Sequence, residues 1–425
     1  MRCRLFAAAL LVPTLLLGVT VPGVTLPAAA DLAQPTVVSA DPVDFTPHVL
    51  DGTVWAIAVV GDTVVVGGNF TKVTDSARRQ TLARKNLFAY GRRDGVIRPF
   101  APVVDGSVYS LAAGAGSTVY AGGAFKTVNG VADRGLAQLS IGTGRRVSGF
   151  TAKINWGDVR AVIARDSRLY AGGTFSSING VPRAGLARLN ASTGAVDRGF
   201  DAHLTSPGLS RTRVEQFDLS PDGRRLIAVG ALLKTNGLNR TQIAMFDVSG
   251  AAATVLSWFT DAYKPKCMPG FDTYLRQVKF APDGSYFVVA ATGRTSSPST
   301  LCDAAARFET GGAGRHNPTW AQHTGGDSLY AVAVTGAAVY LGGHQRYLDN
   351  PNGTDDTGPG PGAVKRDGIG AVSTLTGKAL PWNPTRDRGV GVRAFAVIPE
   401  GLIVGSDTDH LGKEYHGRIG MFPLH

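Results

Sequence analysis

Short aliphatic runs that end in paired glycines dominate the chain from Asp51 onward. Val64-Val65-Val66-Gly67-Gly68-Asn69-Phe70 is the first, and close copies follow at 119–125, 169–175 and 339–344. Degenerate copies occupy 226–232, 286–292 and 402–407. A shorter run opening on an aliphatic residue precedes each copy. The openings are Val54, Val108, Val159, Val214, Leu275, Leu329 and Val392, at intervals of 54, 51, 55, 61, 54 and 63 residues. Self-similarity at this period, built from several short strands per unit, predicts an all-β, seven-bladed β-propeller of four-stranded blades.

The remaining strands, labelled a to d outward from the centre, follow from turn chemistry. Ser220-Pro221-Asp222-Gly223 and Ala281-Pro282-Asp283-Gly284 suit a–b turns. Asn129-Gly130, Asn179-Gly180 and Asn236-Gly237 separate strands b and c. Strand c reads Leu136–Leu139, Leu186–Leu189 and Ile243–Phe246, and strand d ends near Phe100, Phe150, Phe200, Phe259, Trp320 and Trp382. Only six such endings exist, because the seventh unit stops at Ile419-Gly420-Met421-Phe422. Val43–Val49 resembles the strand d around Pro99–Val103 and stands just before the first strand a. Residues near 40 to 50 are therefore expected to complete blade seven and close the ring. The domain reading is 1–30 signal peptide, 31–50 outer strand of the last blade, and 51–425 propeller.

Export changes the picture of the first residues. Arg2 and Arg4, the apolar run 5–21 and Ala28-Ala29-Ala30 form a secretion signal with cleavage after Ala30. The expected location is extracellular, with no transmembrane anchor after cleavage. The formal net charge is +11. Loss of two arginines and no acid with the signal leaves +9, a balance that suits anionic cell-envelope polymers. Runs of Lys or Arg are absent, so nucleic acid is not an expected partner. The two cysteines of the exported chain, Cys267 and Cys302, read as one disulfide.

Residues that recur in every unit serve the blade. The Gly-Gly pairs precede no helix and so cradle no phosphate. Arg84, Arg183, Arg240 and Arg366, with Arg134 one place out of register, precede strand c at a fixed offset and read as carbonyl- or carboxylate-bridging cations between blades. Function is expected where the repeat breaks: 260–274, 293–303, 344–366 and 406–417. These are d–a or b–c connections, which share one face of the disc, and they cluster over blades five to seven. The second residue of each strand a should lie near the channel mouth on that face. The set is Trp55, Tyr109, Arg160, Glu215, Arg276, Tyr330 and Arg393. Aromatics suit sugar faces and arginines suit carboxylate or phosphate. His344, Asp407, Asp409 and His416 join this ring as candidate ligand-binding residues.

Other chemistry has less behind it. Asp349, Asp355, Asp356, Asp407 and Asp409 are the oxygen ligands a calcium ion would draw on, but they match no calcium-loop spacing, and no cofactor is expected. A carboxylate-pair glycosidase would rest on Glu215, Glu414 and loop aspartates. No Gly-x-Ser-x-Gly elbow occurs.

The Gly-Gly-x-Phe, Val-Asn-Gly and Leu-Ala-Arg-Leu elements resemble those of secreted actinobacterial propellers with delta-60, or DUF5122-type, repeats and kelch-like Gly-Gly blades. The resemblance spans most of 51–425 and extends to Leu301–Phe308, Gly342-Gly343-His344 and His416–Ile419. It implies the fold and export, and no catalytic residue. The expected function is therefore that of a monomeric, secreted, non-enzymatic propeller binding carbohydrate or a cell-envelope polymer through the loop face over blades five to seven. A polysaccharide hydrolase or lyase and a protein-interaction scaffold are the alternatives.

Overall fold

The computed structural model describes residues 32–294, 297–354 and 358–425, and every regular element among them is a β-strand. The proposed signal peptide, Asp355 and Asp356 lie outside the described residues. Of the thirteen sheets among the described residues, seven antiparallel ones, each built on a long hairpin, follow one another along the chain. The first joins Val54–Val60, Thr63–Gly68 and Leu87–Gly91; the second Val108–Ala113, Thr118–Gly123 and Leu136–Ser140. The third joins Val159–Arg165, Arg168–Gly173 and Leu186–Asn190. The fourth has Arg213–Leu219, Arg225–Ala231, Ile243–Asp247 and Thr254–Val255, and the fifth Leu275–Phe280, Tyr286–Ala291, Ala304–Glu309 and Trp320–His323. The sixth joins Leu329–Val334, Val339–Gly343 and Ile369–Val372; the seventh Ala394–Ile398, Gly401–Gly405 and Ile419–Pro423.

Strand d is shorter than expected. Only the fourth and fifth sheets carry it as a full strand among the described residues. In the first, second, third and sixth it shrinks to a single bridge, such as Tyr90 with Ile97 and Leu189 with Val196. The aromatic that follows still plugs the gap between sheets, as Phe100, Phe150 and Phe200 are buried. In the fourth sheet the plug is Trp258 rather than Phe259, one position earlier than the repeat predicts. Phe259 instead lies beneath the Arg240 guanidinium at 5.5 Å.

The glycine pairs have a packing cause. A Cβ on the first glycine would strike the aliphatic residue that opens strand a of the next sheet: Val108 Cγ1 lies 2.7 Å from that position at Gly67, and Val159 Cγ1 2.8 Å at Gly122. Gly405 of the seventh sheet stands in the same relation to Val54 of the first, at 2.5 Å. Strand a of each sheet packs on strand a of the next, and Ala394–Ile398 packs on Val54–Val60. A buried cluster fills each of these junctions. One joins Val64, Val66, Phe70 and Phe88 of the first sheet to Ile398, Ile403, Ile419 and Met421 of the seventh.

The b–c connections form a second tier of small ribbons. Ser177–Ile178 and Val181–Pro182 pair around Asn179-Gly180, whose φ values of 49° and 76° fit the expected Asn-Gly turn. Each ribbon also meets the segment that leads into its own strand a, as Ile154 bridges Ile178 and Leu204–Thr205 pairs with Lys234–Thr235. The two connection classes therefore share one face, as their topology requires.

The N-terminal segment departs in detail from its expected course. Ser39 N donates to Pro423 O at 2.8 Å and Val43 N to Met421 O at 2.9 Å, so 39–43, not 40–50, runs beside the outer edge of the seventh sheet. Trp382 Nε1 donates to Ser39 O, and Gln34 Nε2 donates to the carbonyls of Ile398 and Gly401. His48–Val49 pairs with Lys72–Thr74 in the ribbon of the first sheet and also meets the blade-seven connection, where Val49 N donates to Gly417 O at 2.8 Å.

Candidate functional site

The start of strand a is irregular in the same way from sheet to sheet. The pairing with strand b skips one residue between Val54 and Ala56, and does so again at Tyr109, Arg160, Glu215, Arg276 and Tyr330. A β-bulge leaves its extra residue unpaired and re-aims the side chain. Six of the seven residues picked out by position are thus bulge residues. The seventh, Arg393, precedes its strand and is fixed by its own amide, which donates to Gly405 O at 2.9 Å.

These side chains meet in sequence. The Trp55 and Tyr109 rings contact edge to face with centroids 5.8 Å apart. The Arg160 guanidinium lies 5.7 Å from the Tyr109 ring and 2.8 Å from Glu215. Glu215 is 3.7 Å from Arg276. Arg393 lies between two rings, 3.6 Å from Tyr330 and 4.8 Å from Trp55. Six of the seven neighbouring steps around the expected ring are therefore contacts, the step from Arg276 to Tyr330 being the exception.

Its charge is uneven. Burial works against the Arg160 cation, but Glu215 and Asp158 outweigh it and hold its pKa above the ordinary value. Burial depresses Arg276 and Arg393 below theirs despite neighbouring Glu215 and Tyr330. Two members of the site escaped the positional argument. Asp158 sits 3.2 Å from Arg160, and Arg213 sits 2.6 Å from Glu215. Both stand directly before a strand-a aliphatic, Val159 and Val214, so their flanking position was the available signal.

His344 and Asp407 support the ring from behind. His344 Nδ1 lies 3.2 Å from Val390 O, and its Nε2 accepts the Ser328 amide at 3.3 Å. This pattern fits the neutral imidazole with the proton on Nδ1. Burial lowers the His344 pKa, against the opposing pull of Asp327. Its ring packs edge-on against Tyr330. Asp407 binds Arg386 at 3.0 Å and accepts the amides of Val390 and Gly391, so it fastens the 386–391 connection. Arg388 and Arg346 converge on Asp327, which is buried.

Asp409 and His416 lie elsewhere, at the junction of the seventh sheet with the N-terminal segment. Asp409 binds Arg418 at 2.5 Å. His416 is buried, with Thr46 Oγ1 at 3.2 Å from Nδ1 and Glu414 at 3.1 Å from Nε2. Cys267 and Cys302 form the expected disulfide, with Cα atoms 5.6 Å apart, and join connection 260–274 to segment 293–303. The recurring arginines donate to carbonyls, but of their own sheet's outer turn rather than a neighbour's: Arg183 to Asp197 and Arg198, Arg240 to Leu256, Arg366 to Leu380. Among the described residues no group of three or more His, Cys, Asp or Glu is arranged to hold a metal.

Residues 164–200 match a family described as a domain of unknown function (DUF5122) beta-propeller. The matched stretch runs from the end of strand a of the third sheet to its plug, Phe200, and supports the repeat family. No curated protein matches the chain. Among solved structures, the computationally designed Ika8 protein matches with a TM-score of 0.50 at 12% identity, over 91% of this chain and 100% of that one. That similarity concerns the fold alone.

Proposed function

We propose that the chain is an exported, closed, seven-bladed propeller that recognises carbohydrate or a cell-envelope polymer at the mouth of its channel. The run of contacts among the seven strand-a side chains, from Tyr330 through Arg393 and Trp55 to Arg276, carries this reading. Packing of Ala394–Ile398 on Val54–Val60, and the hydrogen bonds of Ser39 and Val43, support closure through the N-terminal segment. Aromatic faces beside guanidiniums offer both stacking and charge-assisted hydrogen bonds to a sugar. The basic balance and the disulfide support an extracellular setting. Binding is favoured over hydrolysis because the glutamates stand in different sheets, Glu215 among arginines and Glu414 against His416.

The test is affinity of residues 31–425 for a glycan panel and for isolated cell walls. The Trp55→Ala, Tyr330→Ala, Arg393→Ala triple variant should lose binding while melting cooperatively. Equal binding by the folded triple variant would defeat the proposal. Amino-terminal sequencing of protein from culture medium should begin at Asp31.

A further inference from the structure

We infer that the ring selects ligands bearing an oxyanion, and that Arg276 and Arg393, on either side of Tyr330, clamp it. This rests on the recognition reading above and specifies what is recognised. The ring and its flanks hold four guanidiniums (Arg160, Arg213, Arg276 and Arg393) but two carboxylates, Asp158 and Glu215. The carboxylates are not shared evenly. Arg160 contacts both, and Arg213 holds Glu215 at 2.6 Å. Arg276 has only a longer contact, 3.7 Å, to the same Glu215 oxygen that Arg213 already holds.

Arg393 makes no ion pair among the described residues. Its guanidinium is flanked by Tyr330 and Trp55, and its Nε is buried without a hydrogen-bond partner. Asp407, which attracts it, is already engaged by Arg386 and two backbone amides. Arg276, which shares a glutamate already held by two other arginines, and Arg393, which has no ion pair, therefore leave an excess of positive charge on one side of the ring. Partly desolvated guanidiniums present fixed N–H donors in the planar arrangement that carboxylate and phosphate accept. An anion there would gain from both charges without displacing the shorter salt bridges that Glu215 makes with Arg160 and Arg213.

The surroundings favour an oxyanion carried on a sugar over a free ion. Trp156 is 39% exposed on the connection leading to Arg160 and donates through Nε1 to Ser176 Oγ at 3.0 Å. Arg211 lies 5.1 Å from its ring. The rings at the clamp itself are Tyr330 and Trp55 beside Arg393, and the exposed indole of Trp156 on the connection to the third sheet adds a further aromatic face for a longer acidic polymer. A uronate carboxylate and a phosphodiester share this chemistry.

Titration calorimetry of residues 31–425 against polygalacturonate, poly(glycerol phosphate) and neutral dextran tests the inference. Binding to a charged polymer should fall roughly tenfold to a hundredfold in Arg276→Gln and in Arg393→Gln, the range for a lost charge-assisted contact. Arg276→Lys should recover part of it. Arg145→Gln, an exposed charge on an outer turn, should change it little. Thermal melts identify any variant that fails to fold, and either arginine alone suffices. Preference for polygalacturonate identifies the carboxylate source, and preference for poly(glycerol phosphate) the phosphodiester. Binding to dextran as strong as to the charged polymers, unchanged in Arg276→Gln, would overturn the clamp and leave glycan recognition standing. Absence of binding to all three polymers and to cell walls would overturn both.

Discussion

Glu215→Gln is the most informative single change. Glu215 is 8% exposed and carries the negative charge shared by Arg160, Arg213 and Arg276 at 2.8, 2.6 and 3.7 Å. Glutamine keeps the shape but removes the charge, and turns one acceptor into an NH2 group facing guanidiniums. Removing one partner of a buried charge pair costs about 3–5 kcal/mol. Here the arginine side chains retain 36%, 21% and 26% exposure, so water recovers part of the loss. The expected destabilisation is about 2–3 kcal/mol. Urea denaturation at low salt should show it as a lowered midpoint with an unchanged slope. High salt should restore part of it by screening the three cations. The variant should also bind anionic polymer more tightly, since the ring gains a net positive charge. A change within about 0.5 kcal/mol, the range of ordinary surface substitutions, would refute the idea that Glu215 neutralises the ring.

Three further outcomes follow from the same geometry. Gly405→Ala should cost about 1–3 kcal/mol by driving a methyl into Val54 Cγ1, and Val54→Ala should relieve it; strict additivity in the double-mutant cycle would contradict contact between the seventh and first sheets. Reduction of Cys267–Cys302, which closes a separation of 35 residues, should cost about 3–4 kcal/mol on the loop-entropy model, read as a midpoint difference with and without reductant. Burial lowers the pKa of His48, His323 and His344, so the unfolded chain takes up protons first as pH falls. Stability should be full above the unfolded value of 6.5 and decline below it. His48→Gln should flatten that decline, because the neutral His48 accepts the Gly417 amide on Nδ1 and lies against Ser76 O through Nε2.

The repeat was legible because its cause is local. Glycine before glycine marks close backbone approach, and Asn-Gly marks a specific turn, so both translate directly into Gly122 against Val159 and the ribbon at Asn179. Strand d was poorly legible, since a strand reduced to one bridge leaves almost no alternation to read. The slip from Phe259 to Trp258 follows: two adjacent aromatics offer the same plug, and only packing chooses between them. For the N-terminal segment, resemblance located the right region but not the register, which is set by docking of Ser39 and Trp382 on the seventh sheet. The ring residues were legible by position, because the bulge occurs at the same step of strand a in six sheets. Their contacts were not, because they depend on how far apart neighbouring sheets pack. Asp407 and His416 looked available in the sequence, yet their polar atoms meet Arg386, two amides, Thr46 and Glu414, all distant in the chain or unmarked by any motif.

A crystal structure of residues 31–425 soaked with trigalacturonate or with a glycerol phosphate trimer bears most directly on the ring as the ligand site. Oxyanion atoms should lie about 2.7–2.9 Å from the guanidinium nitrogens of Arg276 and Arg393, with Tyr330 between them. Oligomer bound at another surface, with only water at these two arginines, would contradict it.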